Sequence, residues 1–125
     1  MKAQVAMEFL ALVGVMLLMF IVFLLVITDQ SVRISSTKEE LIVDDIATSI
    51  QKELLTAASV QDGYSRNFTI PFQVQGVNYT IYQSNESFAL ISKRQSASRK
   101  IPPLVGNLMI GSNMISKRNG TIYLN

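Results

Sequence analysis

The chain opens on an apolar run without a break. From Phe9 to Ile27 every residue is Phe, Leu, Ala, Val, Met, Ile or Gly14. With Thr28 the run is long enough, at ~1.5 Å per helical residue, to cross the ~30 Å hydrocarbon core of a bilayer. A secretory signal peptide has a shorter core, roughly 7–15 residues, and ends in small residues at a cleavage site. Here the run ends in Val26-Ile27-Thr28-Asp29-Gln30, which is no such site. A buried core helix is a poor alternative, because the rest of a 125-residue chain is too small to surround it. The pattern predicts a membrane-spanning helix over 4–28.

Past Thr28 the period becomes that of one helical face. Val43, Ile46, Ala47, Ile50, Leu54, Ala57 and Ala58 recur at helical spacing, with Glu39, Glu40, Asp44, Asp45, Lys52 and Glu53 opposite. The helix is predicted to continue over 29–62. Its weak point is Ile27 to Thr37, where β-branched residues and Ser lower helix propensity. A stop is expected near Asp62-Gly63, where Gly accepts a left-handed conformation.

From Gly63 onward the period is two. Phe68, Ile70, Phe72 and Val74 alternate with Asn67, Thr69, Pro71 and Gln73, which reads as one strand with a buried face and, at Pro71, an edge. Turns at Gln75-Gly76 and Ser84-Asn85-Glu86 bound strands over 77–83 and 87–93. Gln95 to Pro103 reads as a loop. Short strands follow near 108–110, 114–118 and 121–124, with Asn119-Gly120 as the hairpin turn between the last two. The expected fold is α+β. A long N-terminal helix, transmembrane in its first half and amphipathic in its second, is packed by a small antiparallel sheet over 63–125. Four to six short strands cannot stand alone, so their apolar face should lie on the Val43/Ile50/Leu54 stripe.

Composition narrows the chemistry. The chain has no Cys, no His and no Trp. This removes disulfides, thiolate sites, Cys nucleophiles, and the commonest general base and metal ligand. No catalytic, metal or cofactor site is read, and a role other than catalysis is expected. The net charge of +2 hides a division between acidic and basic halves. Up to Asp62, Lys2, Arg33, Lys38 and Lys52 face eight acids; beyond it, seven bases face Glu86 alone. Flanking charge leans toward a cytoplasmic N-terminus.

The residues just before the apolar run carry a resemblance. Lys2-Ala3-Gln4-Val5-Ala6-Met7-Glu8, followed by Phe9-Leu10-Ala11-Leu12, resembles the class III signal peptide of archaeal type IV pilin-like proteins. In that family a short basic leader is cut before a Gln, with Glu four residues and Leu eight residues after it. Gln4, Glu8 and Leu12 stand at those positions. Ala3 replaces the usual Gly before the cut and Ala6 a common Ser, both exchanges among small residues. The resemblance covers roughly the first 28 residues and the general plan of the rest. It implies a leader over 1–3, removed by a prepilin peptidase between Ala3 and Gln4. It also implies a helix that leaves the membrane to polymerise with identical or related pilin subunits, and the lollipop plan of pilins. Glu8 would then pair with the new α-amine of a neighbouring subunit and set the axial register.

Two surface features remain. Asn67, Asn78, Asn85 and Asn119 each begin an N-x-[ST] triplet, where roughly one would arise by chance, which suggests a glycosylated extracellular domain. The alternative is that these are ordinary polar strands and turns. Lys93, Arg94, Arg99, Lys100, Lys117 and Arg118 form basic patches, read as solvated loops or as partners for acidic helix faces of neighbouring subunits. Nucleic acid is not an expected partner, because aromatic interleaving is absent. The reading is a structural subunit of an archaeal type IV pilus-like surface filament, single-pass in the membrane before assembly. The rival is a permanently anchored accessory or stator protein of an archaellum- or pilus-type machine.

Overall fold

The computed structural model describes Met1 to Asn125, the side chain of Lys2 excepted. The chain is α+β, with one helix and eight strands among the described residues. Helix α1 (Lys2–Ser59) runs through the predicted weak point without a break. There the polar side chains turn inward on their own helix. Thr28 Oγ1 donates to the Leu24 carbonyl (2.8 Å), Ser35 Oγ to that of Ser31 (3.1 Å), and Arg33 Nε pairs with Asp29 (3.0 Å). Two compact units divide the chain, Met1–Ser35 and Ser36–Asn125.

In the second unit, the helical segment 36–59 carries the predicted stripe. Val43, Ala47, Ile50, Leu54 and Ala57 are all buried, spaced alternately four and three apart. They meet Ile70, Tyr79, Phe88, Leu90, Ile115, Ile122 and Leu124 from the strands in one continuous core. Ala47 and Ala57 are wholly buried between larger neighbours, and so is Leu54. Burying a side chain of that size is worth about 1.5–3 kcal/mol.

The strands form two four-stranded sheets where one was expected. β1 (Ser65–Ile70), β7 (Gly111–Arg118), β8 (Thr121–Leu124) and β6 (Leu104–Val105) lie in the order β1-β7-β8-β6. β2 (Gln73–Val74), β3 (Val77–Gln83), β4 (Ser87–Ser92) and β5 (Ser96–Lys100) form the other as an antiparallel meander. All pairings are antiparallel except β6 with β8. The meander is thus inserted between the first strand of the other sheet and its last three.

Several expectations are corrected. The strand read over 67–74 breaks at Pro71, which cannot donate to a ladder, and the chain changes sheet there. Phe72, expected inside, is 75% exposed as a result. The loop read over 95–103 holds β5, and β6 follows directly after it. In β5, Ala97 alone is buried, and a ladder to β4 (Leu90 opposite Ala97) orders a segment whose Ser and charged residues hid the alternation. The strand read near 108–110 is irregular chain. Asn113, fully buried, takes its backbone groups: Oδ1 accepts from Met109 N (2.9 Å) and Nδ2 donates to the Met109 and Gly111 carbonyls (2.6 and 3.1 Å).

The helix also ends earlier than Asp62-Gly63. Lys117 Nζ donates to the carbonyls of Ala58 (2.6 Å) and Val60 (2.8 Å), so a cation from β7 closes the helix at Ser59. Gly63, with φ +97°, instead starts the approach to β1, its N–H donating to the Lys117 carbonyl (2.9 Å). The hairpin signals hold. Asn119-Gly120 and Gln75-Gly76 both take positive φ at each residue, the geometry that tight hairpins need.

Candidate functional site

The feature with the clearest functional demand is the surface of residues 3–35. Every residue from Ala3 to Ser35 is exposed. Phe9, Leu10, Met16, Leu18, Phe20, Phe23 and Leu25 are each between 59% and 66% exposed, or slightly above, on all sides of the helix. A helix apolar all round does not stay in water; it needs lipid or other apolar helices. The segment is long and apolar enough to cross a membrane. The longitudinal order is as the sequence implies, with the polar Gln4 and Glu8 at one end of the run and Asp29, Gln30 and Arg33 at the other.

At the N-terminal end Ala3, Gln4, Glu8 and Leu12 lie on the same exposed helix. Gln4 Nε2 reaches Glu8 Oε1 at 3.5 Å, the outer limit of a hydrogen bond, and no ion pair to Glu8 forms among the described residues. The Ala3–Gln4 peptide lies inside the first turn, held by Val5 N–H to the Met1 carbonyl (3.3 Å).

The four triplet Asn residues all reach the surface. Asn67 and Asn78 project from exposed strand positions opposite Met114 and Gln73, and Asn85 and Asn119 sit in turns.

The six basic candidates do not form one patch; they divide by task. Arg99, half-buried, pairs with Asp44, and Lys117 caps the helix. Both are internal struts of the second unit, and Glu53 is likewise engaged by Arg66 (3.3 Å) through charge proximity without hydrogen-bond geometry. Asp44 and Glu53, on the polar face of the helix, are therefore matched within the chain. Lys100 and Arg118 are exposed, the Lys100 carbonyl accepting from Gln51 Nε2 (2.8 Å). Lys93 and Arg94 occupy the exposed turn between β4 and β5.

Polar girders were the residues that sequence reasoning missed. Gln83 bridges the sheets, its Nε2 donating to the Gly106 carbonyl (2.9 Å) and its Oε1 accepting from Leu108 N (2.7 Å). Gly106, at φ +106°, has no room for a Cβ beside the Leu124 carbonyl. Tyr79 is buried and its hydroxyl donates to the Pro71 carbonyl at the sheet change; burial raises its pKa above the ordinary 10.0. No periodicity marks any of these. Among the described residues no three His, Cys, Asp or Glu side chains cluster to hold a metal.

Comparison with protein-family models, with curated proteins and with solved structures returns no match to this chain.

Proposed function

We propose that this chain is a structural subunit, major or minor, of an archaeal type IV pilus-like surface filament. In this reading a prepilin peptidase removes Met1 to Ala3. The helix that first holds the chain in the membrane then becomes part of the filament core. The observation that carries the reading is the register of Gln4, Glu8 and Leu12 directly before a helix whose apolar surface is wholly uncovered. In a dry bundle of such helices the Glu8 carboxylate needs a cation, and the α-amine released at a neighbour's Gln4 is of the right charge. The compact second unit supplies the outer surface, and the exposed Asn67, Asn78, Asn85 and Asn119 are its glycan candidates.

N-terminal sequencing and intact mass of the native protein test this directly. A chain beginning at Gln4 is the expected result, and Glu8→Ala is expected to leave processed chains in the membrane fraction rather than in filaments. The second reading, a permanently anchored accessory or stator protein, is favoured by Ala3 in place of Gly at the cut. A native chain that keeps Ala3 would decide for it.

A further inference from the structure

The turn between β4 and β5 is built with more care than a solvated loop requires. Ser92 N–H donates to the Gln95 carbonyl (2.8 Å), and Gln95 N–H donates back to Ser92 Oγ (3.1 Å). The turn is then pinned to the helix of the same unit. Glu39 Oε1 accepts from Ser92 Oγ (2.6 Å) and from Arg94 N–H (3.3 Å), and Gln95 Nε2 donates to Ser36 Oγ (3.1 Å). Glu39 thus holds the backbone of the turn and leaves its cations unmatched. Among the described residues neither Lys93 nor Arg94 has an ion-pair partner, although Arg33, Arg66 and Arg99 each do. Both are exposed.

The place of the pin gives the two charges a meaning. Ser36 follows Thr28, the end of the membrane-length run, by only eight residues, so the chain itself tethers the pin near the membrane edge. Docking must bring the two cations within a Debye length, ~8–10 Å at physiological salt, of the headgroups, so added salt weakens it. The stretch that directly follows the run is acidic on balance: Asp29, Glu39, Glu40, Asp44 and Asp45 against Arg33 and Lys38. Orientation during insertion is read from cations close in sequence to the span. Lys93 and Arg94 are more than sixty residues away, so they escape that reading and arrive only when β4 and β5 fold.

We propose that the Ser92–Gln95 turn is a basic foot that docks on anionic lipid headgroups of the leaflet from which the helix emerges. The inference rests on the membrane-anchored state of the proposed subunit. Before assembly, the foot holds the folded unit against the bilayer; salt or neutralisation of the two cations frees it.

The lack of native Cys makes the test direct. Full-length chain carrying Ser96→Cys beside the foot, or Asn85→Cys in the turn between β3 and β4, is labelled with a fluorophore. It is reconstituted into vesicles of phosphatidylcholine alone or mixed equally with phosphatidylglycerol, with a headgroup-bound quencher. The label at position 96 should be quenched more in the anionic vesicles, and high salt should erase the difference. Each cation near an anionic surface is worth about fivefold in the docking equilibrium, so Lys93→Gln with Arg94→Gln should lower it roughly thirtyfold. The label at position 85 should ignore lipid charge. Equal quenching at position 96 in both vesicles, or quenching indifferent to the double substitution, would overturn the foot. Failure of the chain to float with either vesicle would instead overturn the membrane-anchored state on which it rests.

Discussion

Residues 3–35 and residues 36–59 share one hydrogen-bonded helix and owe it to opposite causes. In 36–59 a narrow stripe from Val43 to Ala57 is buried against two sheets, and the other face is left to Glu40, Asp45 and Lys52. Tertiary packing holds that segment, as it does most helices in water. In 3–35 no residue is buried, and apolar side chains cover every side. There the surroundings must provide what the fold does not. Backbone hydrogen bonding alone does not distinguish the two; the distribution of apolar surface does.

The sharpest way to break this contrast is to truncate one leucine in each segment. Leu54→Ala should cost the second unit about 2–5 kcal/mol by opening a cavity under both sheets. Leu18→Ala should leave its thermal midpoint in detergent unchanged while weakening helix association. Equal loss of stability from both would show that the segments are not energetically separate. Next in size, Asn113→Ala strips the Met109 and Gly111 backbone groups of these part-buried partners, and should cost about 1–3 kcal/mol in denaturant titration. An unaltered midpoint would mean that residues 108–111 are held by their neighbours alone.

The smallest effect concerns Tyr79. Burial raises its pKa, so the folded chain keeps the phenolic proton above pH 10 while the unfolded chain releases it. The unfolded state then binds fewer protons, and stability falls as pH rises from about 10 through the folded value, by at most ~1.4 kcal/mol per pH unit. Tyr79→Phe should remove that alkaline slope. A slope unchanged in the variant would assign it to other groups.

The parts of this molecule legible in the sequence are those that repeat. The apolar run, the stripe through Leu54, and the Asn119-Gly120 and Gln75-Gly76 turns each follow from a periodicity or a dihedral preference. What was hidden depended on single side chains acting at a distance. Nothing around Lys117 announces that its ammonium will close a helix ending at Ser59. Nothing around Asn113 or Gln83 marks them as stand-ins for backbone pairing. Pro71 is visible as a ladder breaker, yet the alternation continuing through Phe72 and Val74 points to an edge within one strand. β5 escaped notice for the converse reason: its Ser and Arg side chains give a solvent-facing strand no hydrophobic signature. The N-terminal site was legible as a spacing of Gln4, Glu8 and Leu12, because it requires no folding to assemble.

The insertion of the meander between β1 and β7 also sets an order in time. β1 pairs with β7, and β8 lies between β7 and β6, so one whole sheet waits for β8. The meander can close earlier, but Ile122 and Leu124 must arrive before the core on the helix is complete. During synthesis the greasy segment leaves the ribosome before any strand, and the keystone strand follows the other seven. A nascent chain therefore commits to its lipid environment long before it can commit to a shape, and any truncation near β8 yields an anchor carrying an open, adhesive sheet edge.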